Sequence, residues 1–185
     1  NENRLASFMG RFNYMYDNRF IATVNLRADG SSKLGMNNKW GFFPSASAAW
    51  VLNEEAFLKD VDWLSQLKLR AGYGLTGNQD AIEAYNSLAL MSPNGVTSVN
   101  GNSTATYGFT RNSNPDLRWE VKKTFDVGVD AGVLDGRFTL TADWYTSKTT
   151  DLLYKYAVPV PPFVYPELLA NLGEMTLSLI HISEP

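Results

Sequence analysis

Apolar and polar side chains alternate one by one in long runs along this chain, and a period of two admits β-strand but not helix. In Leu5–Tyr16, the residues Ala6, Phe8, Gly10, Phe12, Tyr14 and Tyr16 alternate with Ser7, Met9, Arg11, Asn13 and Met15. Asp17-Asn18 supplies a tight turn, and Phe20–Asp29 repeats the pattern. There Phe20, Ala22, Val24, Leu26 and Ala28 share one face, while Thr23, Asn25, Arg27 and Asp29 share the other, with Ile21 the exception. A third run, about Gly41–Leu52, is less regular, and Asn53-Glu54-Glu55-Ala56-Phe57 after it reads as a single capped helical turn. A fourth strand sets Leu67, Leu69, Ala71, Tyr73 and Leu75 against Lys68, Arg70, Gly72, Gly74 and Thr76. A fifth sets Phe125, Val127, Val129, Ala131 and Val133 against Thr124, Asp126, Gly128, Asp130 and Gly132. Asp135-Gly136 is a hairpin signal, and a sixth strand sets Phe138, Leu140, Ala142 and Trp144 against Thr139, Thr141, Asp143 and Tyr145.

Two features separate a membrane barrel from a soluble sandwich. The connections run short, long, medium, long, short, long, so the long ones all fall on one edge of the sheet. Outer-membrane barrels are built this way, with short turns on the periplasmic side and long loops outside. The two longest are a Gly-, Asn- and Ser-rich stretch from Gly77 to Leu117 and a Pro-rich one after Thr150. The strands also run roughly 10–14 residues, against about 5–6 in globular sheets, and tilted strands of about 9–11 residues cross a bilayer. Charged residues at 19% and aromatic residues at 13% suit a protein with much of its surface in lipid, although a carbohydrate-binding sandwich has similar values. Arg11, Arg27, Lys68, Arg70, Asp126, Asp130 and Asp143 sit mid-strand on the polar side. A large barrel turns that side into a hydrated lumen, and a sandwich leaves it in bulk water. The expected fold is therefore all-β: about six strands of a partial, antiparallel, up-and-down transmembrane barrel.

The remaining composition narrows the function classes. A net charge of −3 offers no footprint for nucleic acid, and zero cysteines exclude a disulfide framework or a cysteine metal site. No apolar run is long enough for a transmembrane helix. The chain begins Asn1-Glu2-Asn3-Arg4 with neither a methionine nor a signal peptide, so an N-terminal part is expected to be missing.

Several stretches resemble the SusC/RagA family of TonB-linked outer-membrane proteins. They are Leu26-Arg27-Ala28-Asp29-Gly30-Ser31-Ser32-Lys33-Leu34-Gly35, Asn38-Lys39-Trp40-Gly41-Phe42-Phe43-Pro44-Ser45-Ala46-Ser47 and Leu67-Lys68-Leu69-Arg70-Ala71-Gly72-Tyr73-Gly74-Leu75-Thr76-Gly77-Asn78-Gln79. Asn114-Pro115-Asp116-Leu117-Arg118-Trp119-Glu120 and Asn171-Leu172-Gly173-Glu174-Met175 follow in the same order. The resemblance implies a barrel of about 22 strands around a plug domain. It also implies residence in the cell outer membrane, a SusD-like lipoprotein capping the barrel and coupling to TonB through an N-terminal part not present here. It implies import of glycans or peptides by Bacteroidetes-like bacteria. The alternative is a soluble or surface β-sheet module that binds carbohydrate or acts as an adhesin.

No catalytic constellation is visible: there is no G-x-S-x-G, no paired histidine and no P-loop. No enzyme activity, cofactor or metal is expected. Asp126 and Asp130 lie four residues apart on a strand, about 13 Å along it, too far to share one ion. Trp40, Phe42 and Phe43 read as an interfacial aromatic girdle in preference to a sugar platform. Tyr107 and Phe109, in the longest loop, are the better substrate-binding candidates, although packing against the capping lipoprotein suits them equally. Arg27 and Arg70 are the candidates from the luminal face.

The C-terminus is anomalous. After Met175 the family pattern calls for another barrel strand, yet Leu177–Pro185 reads Leu-Ser-Leu-Ile-His-Ile-Ser-Glu-Pro. That is the translation of the transposase-adapter sequence CTGTCTCTTATACACATCTCCGAGCCC. We therefore assign residues 1–176 to the barrel and 177–185 to an adapter read through the end of a DNA insert, and give His181 no function.

Overall fold

The computed structural model describes residues 3–58, 61, 63–80, 82, 85 and 87–183. The strands are β1 (Leu5–Tyr16), β2 (Phe20–Ser31), β3 (Trp40–Phe42), β4 (Ser45–Val51), β5 (Leu64–Asn78), β6 (Leu90–Val99), β7 (Asn102–Arg111), β8 (Glu120–Val133), β9 (Phe138–Thr150), β10 (Leu153–Ala157), β11 (Glu167–Asn171) and β12 (Glu174–Ser183). One antiparallel sheet runs β1-β2-β4-β5-β8-β9-β12, with β3 also on β2. Two separate hairpins, β6-β7 and β10-β11, sit inside its long connections. Each long strand therefore pairs with the next long strand in the chain, without a Greek-key crossover.

The turns expected from sequence are present. Asp17 and Asn18 both have positive φ, at 50° and 53°, the left-handed geometry of a tight hairpin turn, closed by the Arg19 N–H donating to Tyr16 O at 3.0 Å. Leu134, Asp135 and Gly136 also have positive φ, in the four-residue turn between β8 and β9. The third run divides at Phe43-Pro44, because proline has no N–H for the ladder, and Phe43 turns inward to become a buried residue. The turn after β4 is a 3-10 turn at Leu52–Glu54, one step earlier than the capped turn read from Asn53.

The register joins the apolar sides of the strands into rows. Phe20 faces Trp50, which faces Leu69, then Val129, then Ala142. The next row runs Ala22, Ala48, Ala71, Val127 and Trp144, and a further one Val24, Ala46, Tyr73 and Phe125. Nothing covers this face among the described residues: Phe12 is 65% exposed, Val24 41%, Leu69 37%, Phe125 39% and Leu140 43%. A sandwich would bury these five under a second sheet. An apolar face this wide is stable only against lipid.

Two expectations require correction. Among the described residues the main path has seven strands where about six were expected, because β12 continues it as far as Ser183. The stretches read as plain loop contain hairpins, β6-β7 within 77–117 and β10-β11 after Thr150. The adapter assignment extends to Glu184 and Pro185, and the missing-start reading to Asn1 and Glu2; these four lie outside the described residues.

Candidate functional site

Two regions carry the polar chemistry: the face opposite the apolar rows, and the outer edge where the long connections meet.

On the polar face, Arg70 of β5 donates through Nη2 to Asp130 of β8 at 3.0 Å and to Asp143 of β9 at 2.9 Å. The reach across β8 depends on Gly128, where a Cβ would stand 2.9 Å from Arg70 Nη2. The glycine lets the guanidinium lie flat on the wall and bridge two carboxylates that would otherwise repel. Thr141 Oγ1 donates to the same Asp130 at 3.2 Å. Arg70 is thus already committed to a cross-strand network. Arg27 is engaged differently, its Nε donating to both oxygens of Asp29 at 2.9 and 2.7 Å while half of its side chain stays exposed.

The structure does not bring the two arginines together. Arg70 shares its row with Ala49 and Ile21, and Arg27 lies six residues further along β2, about 20 Å away. Between them is a polar trough of about 250 Å³ floored by Ser45, Ser47, Gly72 and Gly74 and bordered by Asn25, Thr124 and Asp126. Among the described residues no group of three His, Asp or Glu could hold a metal ion.

At the short-turn edge, Arg19 reaches Asp17 at 2.6 Å and Glu55 at 3.3 Å. Partial burial works against its charge, but the two carboxylates outweigh that and raise its pKa. Glu55 also accepts from Trp50 Nε1 at 2.9 Å, tying two periplasmic-type connections together.

The opposite edge is knitted by a small core that no period-two reading detects. Leu34 and Phe43 from the β2–β4 connection and Ile82, Leu117 and Trp119 from the β5–β8 connection are buried together, with Leu75, Val121, Leu153 and Leu169 packed around them. Gly35 passes so close to the carbonyl of Pro115 that no Cβ would fit, and its N–H donates to Leu117 O at 3.1 Å. Asn112 is the polar counterpart. Its buried side chain accepts from the N–H groups of Val164 and Tyr165, and donates to the carbonyls of Tyr165 and Glu167. Asn171 similarly bridges Arg118 and Asp151. Their only sequence signal was asparagine beside turn residues.

Tyr107 and Phe109 stand on this edge, on hairpin β6-β7. They pair with Pro93 and Met91 and share a face with Val96 and Ala105. Tyr107 is 60% exposed and Phe109 43%, and nothing among the described residues packs over them. They form an exposed two-ring patch on a hairpin separate from the main sheet that carries both arginines.

Comparison with known proteins accords with this architecture. Residues 1–178 match the family model described as TonB dependent receptor-like, beta-barrel. The chain is 39% identical over 175 residues to the TonB-dependent receptor SusC of Bacteroides thetaiotaomicron, covering 94% of this chain and 17% of that protein. It is 40% identical over 179 residues to the TonB-dependent receptor P3 of Formosa agariphila, covering 95% of this chain and 17% of that one. Among solved structures, the RagAB peptide importer in its open-open state superposes with a TM-score of 0.89 at 30% identity, over 98% of this chain and 19% of the matched one. The chain thus spans about a sixth of the length of these relatives.

Proposed function

Since the chain belongs to the TonB dependent receptor-like β-barrel family, and so to the outer membrane, we propose that it forms wall and mouth of an energy-coupled importer of glycans or peptides. The observation that carries this reading is the two-sidedness of the sheet. One face is continuous apolar surface for lipid, the other is polar and charged, and the long connections gather at one edge. An importer needs these three surfaces: one to sit in the membrane, one to line a hydrated path and one to meet substrate. The adhesin or sandwich alternative needs a partner sheet for the apolar rows, and the described residues contain none.

In this proposal substrate first meets the outer edge. Tyr107 and Phe109 offer flat apolar rings to a sugar ring or an apolar peptide side chain. Arg27, half exposed, offers a donor to hydroxyls or carboxylates deeper in the lumen. Arg70 presents its outer face while fixing the wall. A SusD-like lipoprotein would close over the mouth, and the plug and TonB contact would lie in the rest of the protein. In this proposal the segment guides and contains substrate.

The test is to delete the gene in its host and measure uptake of labelled oligosaccharides and oligopeptides, then complement with wild type or a Tyr107→Ala/Phe109→Ala double variant. Loss of uptake of one class is expected. The double variant should raise the half-saturating concentration about tenfold, from two lost ring contacts. Unchanged uptake of both classes in the deletion strain would refute the proposal.

A further inference from the structure

The membrane-facing side changes character one row beyond Phe125. Lys123 and Lys148 are direct register partners on β8 and β9. Alternation puts Lys123 on the same side as Phe125 and Val127, and Lys148 on the same side as Trp144 and Thr146. Both lysines are exposed. Like charges directly opposite in an antiparallel pair repel and weaken it. Glu174 of β12 answers one of them, its carboxylate 2.7 Å from Lys148 Nζ. Lys123 has no carboxylate within ion-pair distance among the described residues. The site thus holds two cations against one anion, on a face otherwise built for lipid.

Its height is informative. On β8 the outward residues from Val133 to Phe125 are all apolar, and Lys123 is the next. Ten residues along a strand tilted by about 40° rise about 25 Å, the height of the apolar band of such a barrel. The periplasmic-type turn at Leu134–Arg137 lies at the bottom of this span, so the lysine pair lies at the top, where the outer leaflet's headgroups begin. Phe125 and Trp144, edge-to-face at 6.0 Å, mark the aromatic layer just beneath.

We propose that Lys123 and Lys148 form a binding site on the barrel's outer wall for the phosphorylated headgroup of an outer-leaflet lipid. Two ammonium groups on neighbouring strands can approach one phosphate together, which removes their mutual repulsion, while the acyl chains lie on the apolar rows below. The proposal depends on the barrel sitting in the outer membrane and not on what it imports.

The experiment uses the full-length receptor in phosphatidylcholine nanodiscs, with lipid A, its dephosphorylated form or inorganic phosphate added, and reads binding together with the thermal unfolding midpoint. Lipid A should bind and raise the midpoint; the dephosphorylated form and free phosphate should not. Each surface lysine contributes about fivefold to binding of an anionic lipid, so Lys123→Gln/Lys148→Gln should lose about 25-fold. Lys123→Arg/Lys148→Arg should retain binding, which separates charge from folding damage. Glu174→Gln should tighten binding by freeing Lys148. Equal lipid A binding by wild type and the double glutamine variant would overturn the proposal, as would an equal response to free phosphate.

Discussion

Val129→Arg tests the membrane assignment at its centre. Val129 is third of the five outward residues Phe125, Val127, Val129, Ala131 and Val133, and its register partners are Leu69 and Ala142. It therefore sits at the midplane of the apolar band. An arginine there costs about 2–4 kcal/mol in a barrel, or roughly a 30- to 800-fold fall in the folded-to-unfolded ratio. The same substitution at Val133, four residues toward the turn, moves about 10 Å toward the interface and should cost about 0–1 kcal/mol. Thr124→Arg, on the luminal face, should stay within about 0.5 kcal/mol, as surface substitutions usually do. The assay is reversible denaturant titration of the full-length receptor refolded into lipid vesicles. The steep dependence on position is the signature, because a water-exposed face gives no gradient. If Val129→Arg and Val133→Arg both fall within 0.5 kcal/mol of wild type, the lipid-facing assignment is wrong.

Arg70→Ala should leave Asp130 and Asp143 unbridged and cost about 1 kcal/mol, modest because all three side chains are partly exposed and screened. Adding Asp143→Asn should recover part of that loss, and vesicle unfolding curves at low and high salt would show it shrinking with salt. Asn112→Ala removes four hydrogen bonds from a buried amide and strands the backbone groups of Val164, Tyr165 and Glu167. It should cost about 2 kcal/mol locally. Hydrogen exchange at residues 158–168 should accelerate while β8 and β9 stay protected; unchanged exchange would show that the amide is not what ties the two hairpins together.

The transmembrane strands were legible because each obeys one rule, alternation, over a length that turns and loops cannot imitate. Asp17-Asn18 and Asp135-Gly136 were legible because left-handed turns restrict residue choice. The outer edge was not, since it is held by tertiary contacts. Leu34, Ile82 and Leu117 are single apolar residues in polar stretches, and only the assembled fold shows that they meet. Hairpin β6-β7 did leave a signal, Asn100-Gly101 between alternating residues, but a bulge near Pro93 and Gly95 breaks the alternation and hides the strand. For the candidate residues, sequence placed Arg27 and Arg70 on the polar face. It could not show that carboxylates two residues away and two strands away already occupy them.

In β12 the register places side chains differently from the strands beside it. Leu177 pairs with Ser147, Leu179 with Tyr145 and His181 with Asp143, which puts both leucines on the luminal side. Ser178 pairs with Thr146 on the outward side and accepts a hydrogen bond from Trp144 Nε1 at 3.2 Å, while Ile180 and Ile182 also face outward. Leu177 and Leu179 thus stand in luminal rows where β8 carries Thr124 and Asp126 and β5 carries Gly74 and Gly72. Backbone pairing depends only weakly on side-chain identity, so side-chain placement is the discriminating property. We therefore predict that sequencing the source DNA across this point will replace Leu177–Pro185 with a continuation that is polar at 177, 179 and 181 and apolar at 178, 180 and 182. A genomic reading that encodes Leu177–Pro185 in frame would refute this. His181, opposite Asp143 and close to the Arg70 network, would then be a genuine member of the luminal wall.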